Sequence, residues 1–309
     1  VTADVTPGSS GGGDLATVAV VTGSTITATA AGIIETNLAL TAGGTINFAD
    51  ANTNVGTLAV SNAGEAVTFR DDTGLVIAAV VAAATVTGVT ATTFNLTTAD
   101  GAVTDTAALA VTGTTTIAAG TGGDITFDEG ANNFGTVVIT TGRAVTLVDT
   151  NALTLGATTA SGLLSVTAGG VLTLSGAVSS GGTTVLTSTA NDAGAITFAQ
   201  GTQTITSTSG ALTITADDMT LDGTITATGE ENSCIPGFGF RYSPVCFKTP
   251  ATSSAGLLTF FLSMEFLNQS ALNISLSTAL MSPPVSRKTL ESCWMAASSR
   301  GGSMDQDGT

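Results

Sequence analysis

Apolar residues recur in pairs two positions apart along most of the chain: Ile46/Phe48, Leu58/Val60, Val67/Phe69, Leu75/Ile77, Phe94/Leu96, Leu109/Val111, Ile125/Phe127, Val137/Ile139, Val145/Leu147, Leu153/Leu155, Leu172/Leu174, Ile196/Phe198, Leu212/Ile214 and Met219/Leu221. A spacing of two belongs to a half-buried strand, because successive side chains of a strand point to opposite faces. Threonine commonly fills the intervening position, as in Ile125-Thr126-Phe127, so each strand carries an aliphatic face and a hydroxylated one. Between the doublets lie clusters such as Thr41-Ala42-Gly43-Gly44, Thr121-Gly122-Gly123-Asp124 and Ala168-Gly169-Gly170, which supply the backbone freedom of sharp corners. The steps between doublets, near eight residues with longer ones near twelve, leave no room for crossover helices.

The pattern also repeats over a longer distance. The stretch from Gly44 to Val60 (Gly-Thr-Ile-Asn-Phe-Ala-Asp-Ala-Asn-Thr-Asn-Val-Gly-Thr-Leu-Ala-Val) aligns without a gap to that from Gly123 to Ile139. Ala66-Val67-Thr68-Phe69 answers Ala144-Val145-Thr146-Leu147 with one residue dropped, and Gly194 to Phe198 begins the phrase a third time. Internal repetition of this kind marks a solenoid or tandem domains. Tandem immunoglobulin-like sandwiches normally bury large aromatics, often Trp, whereas residues 1–229 hold neither Trp nor Tyr. A parallel β-helix is therefore expected, with eight to ten coils about 4.8 Å apart forming a rod roughly 40–50 Å long.

Composition divides the chain into three parts: a flexible N-terminal segment over 1–14, a repeat rod over 15–229 and a tail over 230–309. The tail holds the Trp, the Tyr, all three Cys (Cys234, Cys246 and Cys293), and the doublet rhythm stops there. Two readings compete for it. One is a C-terminal module in which Ala255 to Met281 forms an amphipathic helical cap; the other, favoured by Pro, Cys and basic residues scattered without a period, is a slipped reading frame in the gene or its assembly. Since the chain begins at Val1 without a basic-then-apolar signal stretch, it reads as a mature product or an internal fragment.

Net charge narrows the function classes. A balance of -16 repels phosphate backbones and anionic lipid, which argues against nucleic-acid partners and basic-patch membrane binding. No apolar run is long enough for a membrane-spanning helix; the longest, Ala255 to Leu267, contains Glu265. With no His, Ser-His-Asp and Cys-His catalysis and the commonest zinc sites are excluded.

The remaining chemistry rests on oxygen ligands. Adjacent acids occur at Asp71/Asp72, Asp128/Glu129 and Asp217/Asp218, with Arg70 and Arg143 as the basic residues of the body. Neighbours on a strand point to opposite faces, so these pairs are expected to be solvated corner residues rather than the carboxylates of a glycosidase. Asp71, Asp72, Asp124, Asp128 and Glu129 offer oxygen ligands for weak calcium binding, although the Gly-Gly-x-Gly-x-Asp repeat of calcium-binding β-rolls is missing. Ser9 to Asp14 lacks the Lys-Ser/Thr ending of a phosphate loop and reads as linker. Thr-x-Thr triplets at Thr25/Thr27, Thr85/Thr87, Thr204/Thr206, Thr213/Thr215 and Thr224/Thr226 are irregularly spaced, as strand filler would be. Asn95-Leu-Thr97, Asn268-Gln-Ser270 and Asn273-Ile-Ser275 fit the glycan-acceptor pattern, which arises by chance in Thr-rich chains. No catalytic, cofactor-binding or metal site residue is assigned, and no cofactor is expected.

The phrases Val145-Thr-Leu-Val-Asp149, Leu153-Thr-Leu-Gly156, Val166-Thr-Ala-Gly-Gly170, Leu172-Thr-Leu-Ser-Gly176 and Leu212-Thr-Ile-Thr-Ala216 resemble the repeat rod of filamentous-haemagglutinin-type exoproteins, bacterial adhesins exported by two-partner secretion. The likeness covers about residues 15–229 and is one of rhythm more than of an invariant motif. It implies a right-handed parallel β-helix, a place outside a Gram-negative cell, and a stalk that supports attachment to a surface or glycan partner within a longer parent polypeptide. It implies no catalytic residues. The Asn-Pro motifs of that family's secretion domain do not occur. The alternatives are a carbohydrate-active β-helix enzyme, marked by acids and aromatics clustered in a groove, and an ice- or surface-binding solenoid, marked by a flat regular Thr array.

Overall fold

The computed structural model describes residues 17–28, 34–49, 53–62, 64–190, 194–198, 203–220 and 223–227, with the backbone of strands at 233–235, 245–247, 262–267 and 271–276. The described body is all-β, with parallel strands stacked into a β-solenoid of about 10 turns. Most circuits take about twenty residues: Ile125 lies beside Val145, Val145 beside Leu164 and Leu164 beside Thr184.

Each coil runs through three stretches. In the coil holding Leu164–Ala168, Leu172–Leu174 and Val178–Ser180 they are three separate strands. In three coils the second and third stretches fuse into the long strands Leu109–Ala118, Asn133–Thr141 and Leu153–Ala160. Nearer the N-terminus the first and second fuse instead, giving Ile34–Ala42 and Asn54–Ser61. Short strands suffice because each gains hydrogen-bonded neighbours above and below, so no segment has to supply a wide hydrophobic layer alone.

The doublets fill the interior as the period of two requires. Ile125 and Phe127 are both fully buried, and so are the other doublets up to Leu212/Ile214; Met219 packs half-buried at the end of the core, and Leu221 lies outside the described residues. Like residues meet across coils. One ladder runs Leu75, Val103, Ile125, Val145, Leu164 on the first stretch. Another rises from Ile46 through Val67, Phe94 and Thr115 to Val137. Phe48 stacks on Phe69 of the next coil with ring centroids 5.7 Å apart, while Phe127 stacks on Phe134 of the next stretch within its own coil at 6.2 Å.

The two ladders also place the sequence repeat in space. Ile46 and Ile125 are equivalent in sequence, yet Ile46 belongs to the ladder that reaches Val137, on a different face of the coil that holds Ile125. The repeat is therefore not a whole number of turns, and its equivalent residues appear on different faces.

One element departs from the pattern. After Ile77 the chain leaves the coil as an antiparallel hairpin, Ala79–Val81 against Thr85–Thr87, and re-enters at Val89–Ala91. The hairpin lies back on the rod, where Val80 and Val86 cover Ala39 and Ala59 in a second, small apolar cluster. Gly88 closes its root at φ +63°, in the left-handed region where a Cβ would also meet the Ala108 carbonyl.

Within the tail, the span from Ala255 to Met281 contains two antiparallel strands, Leu262–Leu267 and Ala271–Leu276, where the less favoured of the two readings, a C-terminal cap, places a helix. Leu262, Met264 and Phe266 alternate with polar or smaller neighbours, and so do Leu272, Ile274 and Leu276, which is the strand period. The tail's remaining residues, and residues 1–14, lie outside the described part.

Candidate functional site: corner clasps and threonine ranks

The acids that the sequence offers as chemistry are dispersed over the corners. Asp71 and Asp72 diverge as strand geometry demands: Asp71 is fully buried, while Asp72 is half-exposed and pairs with Arg70 at 3.2 Å. Asp128 is exposed and Glu129 half-exposed on another corner, and both donate their backbone N–H groups to Asp105. Asp217 and Asp218 are exposed, with backbone N–H groups that donate to the Gly194 carbonyl. Asp124 receives the Arg143 guanidinium through Nε at 2.7 Å and also the Ala144 N–H, and the guanidinium holds its carboxyl below the ordinary range. Among the described residues no three His, Cys, Asp or Glu side chains come together as a metal site. No helix of the described residues is long and apolar enough to cross a membrane.

Asp71 and Asp149 instead form one repeated device. The Asp71 carboxylate accepts the Val55 N–H at 2.6 Å from the preceding coil and the Thr73 N–H at 2.8 Å within its own turn. Asp149 accepts the Phe134 N–H at 2.6 Å and the Asn151 N–H at 2.8 Å in the same way. Beside each clasp a polar pair joins the same two coils, Thr73 Oγ1 lying 3.0 Å from Asn54 Oδ1 and Asn151 Nδ2 donating to Asn133 Oδ1 at 3.1 Å. The match extends to the backbone, where the Asp72 and Thr150 N–H groups donate to the carbonyls of Thr53 and Asn132. The aligned phrases Asn54-Val55-Gly56 and Asn133-Phe134-Gly135 are therefore the lower halves of two equivalent clasps, set on different corners.

A third clasp has other partners. Asp105 accepts the Asp128 N–H at 3.0 Å and the Asn132 amide at 2.6 Å, and Asn132 in turn accepts the Leu109 N–H at 2.7 Å. The sequence singles out neither Asp105 nor Asn132, since they stand 27 residues apart outside any doublet. Burial is the largest influence on Asp71, Asp105 and Asp149, raising each carboxyl above its ordinary value against the opposing pull of these hydrogen bonds.

The outward positions carry hydroxyl ranks. Thr114, Thr136, Thr154, Thr173, Thr197 and Thr220 are neighbours in register over six successive coils, a rank about 24 Å long at strand spacing. On the first stretch Thr104, Thr126, Thr146 and Ser165 stack likewise. The Thr-x-Thr triplets contribute less than these single threonines. Thr204/Thr206 and Thr224/Thr226 stack on each other, whereas Thr213/Thr215 lies on another face, Thr85/Thr87 on the hairpin and Thr25/Thr27 in the first described coil. Asn95 of the glycan-acceptor pattern is exposed on a strand; Asn268 lies outside the described residues, and of Asn273 the backbone alone is described.

No curated protein and no solved structure matches the chain. A family model described as repeats of unknown function (DUF5649) matches residues 64–141 and again residues 142–206. The step from 64 to 142 equals the 78 residues from Asp71 to Asp149, so the sequence family and the clasp geometry report the same repeat. The chain is a repeat-rich β-solenoid whose similarity to that family covers the central coils.

Proposed function

We propose that the rod is the structural stalk of a secreted bacterial surface protein, supporting attachment to a surface or glycan partner, and that its role is mechanical rather than enzymatic. The observation that carries this reading is the unbroken interior column from Val20 to Ile214, tied at its corners by coil-to-coil hydrogen bonds. Such a column resists extension because every coil is hydrogen-bonded to and packed against the coils above and below it, so lengthening the rod requires detaching coils from their neighbours. The resemblance to filamentous-haemagglutinin-type rods supports export and adhesion as the setting.

The test pulls single molecules of the full chain from both ends and measures retention of chain-coated beads on glycan-bearing and bare surfaces. The proposal expects high-force unfolding of the rod and bead retention above that of uncoated beads. Unfolding at the low force of a loosely packed chain, or retention no better than uncoated beads, overturns it.

A second reading, binding to an ordered surface such as ice, is favoured by the six-coil threonine rank. It expects growth of ice crystals to slow in the presence of the chain and to recover when Thr154, Thr173 and Thr197 are replaced by Lys. Unchanged growth in both cases removes it.

A further inference from the structure

We propose that the rod tightens in acid, because its folding takes up protons at three corner carboxyl groups, Asp71, Asp105 and Asp149, which are enclosed without a cation to balance them. Their exposures are 0%, 5% and 2%. Every donor that reaches them is uncharged: backbone N–H groups of Val55, Thr73, Asp128, Glu129, Phe134 and Asn151, the Thr73 hydroxyl and the Asn132 amide. The two arginines of the described rod are engaged elsewhere, Arg70 with Asp72 and Arg143 with Asp124.

The charged surroundings add to this imbalance. Asp71 has Arg70 and Asp72 on its own strand and turn, uncharged Asn54–Ser61 below and Thr98 above. The guanidinium of Arg70 is spent on Asp72, whose charge acts unfavourably on Asp71. Over Asp105 lies the corner of Asp128 and Glu129, and under it the uncharged strand Leu75–Ile77. Asp149 holds the Phe134 N–H of the coil below and lies under the uncharged turn at Ala168–Gly170. The donors on both oxygens favour the ionised form, and exclusion from water with no cation in reach outweighs them at all three positions.

The sign follows from linkage. Burial raises all three groups in the fold, so the folded rod holds more protons than the unfolded chain between the ordinary carboxylate value and the raised one. Stability from these groups is complete below the ordinary value, roughly pH 4, and is lost as pH rises through the raised values. Each carboxyl changes the folded-to-unfolded ratio by up to about tenfold per pH unit within that window.

The experiment measures urea unfolding of the full chain in steps from pH 7.5 down to roughly pH 4 in high salt, which screens the repulsion of the net charge of -16. The urea midpoint of the unsubstituted chain and of a surface control, Asp72→Asn with Asp128→Asn, is expected to rise on acidification. In the triple variant Asp71→Asn, Asp105→Asn, Asp149→Asn it is expected to stay level. A triple variant that keeps the full rise, or an unsubstituted chain whose midpoint falls, overturns the proposal. Should the triple variant not fold, carboxyl NMR of the unsubstituted chain decides: three groups titrating above the surface acids support the proposal, and none doing so overturns it.

Discussion

Thr115 is the interior position where accounting of hydrogen bonds makes the sharpest prediction. Its side chain points into the column between Phe94 and Val137, fully buried, and its hydroxyl is the one buried side-chain oxygen or nitrogen among the described residues with no hydrogen-bond partner. Thr115→Val replaces that hydroxyl by a methyl group of nearly the same shape. A buried hydroxyl without a bond costs about 1–3 kcal/mol. That cost is the hydroxyl's lost contact with water on folding, so the variant should be more stable by about 1 kcal/mol, the low end of the range, or roughly 2–4 °C in melting temperature for a body of this size. The matched control is Thr184→Val. Thr184 is equally buried, in the ladder between Leu164 and Leu212, but its hydroxyl meets that of Ser180 at 2.6 Å. Losing that bond should destabilise by about 0.5–1.5 kcal/mol. Urea unfolding followed by circular dichroism, with equal slopes for both variants, reads the two changes directly. If Thr115→Val destabilises as much as Thr184→Val, the ladder position assigned to Thr115 is wrong.

Other substitutions test the remaining parts of the architecture. Phe127→Ala empties a fully buried site stacked on Phe134 and should cost about 3–5 kcal/mol, seen as a lower urea midpoint. Gly88→Ala places a Cβ at positive φ against the Ala108 carbonyl; it should lower the midpoint and speed hydrogen exchange in the hairpin more than in the coils around Val145. Arg143→Ala removes a solvent-exposed ion pair with Asp124, and the midpoint should stay within error of the parent.

The strands and their inward faces were legible in the sequence because a period of two states which residues are buried, and Ile125 and Phe127 are buried as that period requires. Corner positions were legible from glycine clusters such as Gly169-Gly170, whose N–H groups bond to the carbonyls of Asp149 and Asn151 one coil below. The clasps were half-legible: the aligned phrases around Asn54 and Asn133 mark a repeat, but nothing local says that Asp71 and Asp149 reach back to them. The hairpin was hidden because Ala82-Ala83-Ala84 at its tip carries none of the Gly, Asn or Asp that announce a tight turn. The threonine ranks were hidden for another reason. Register between coils depends on circuit lengths that vary at bulges, as between Val111 and Thr114, and this variation obscures which threonines become neighbours.

The central claim is that distance along the rod counts coils rather than residues. Spin labels at Thr126→Cys and Thr213→Cys, in a chain whose three native cysteines are replaced, test it by pulsed electron resonance. These outward positions lie on one register line through Thr146, Ser165 and Val185, four strand spacings apart. A narrow distribution near 19 Å plus the label arms is predicted, with about 5 Å more when Thr104 replaces Thr126 as the labelled site. A broad distribution, or a distance that does not lengthen by one strand spacing on that exchange, would contradict the stacked column.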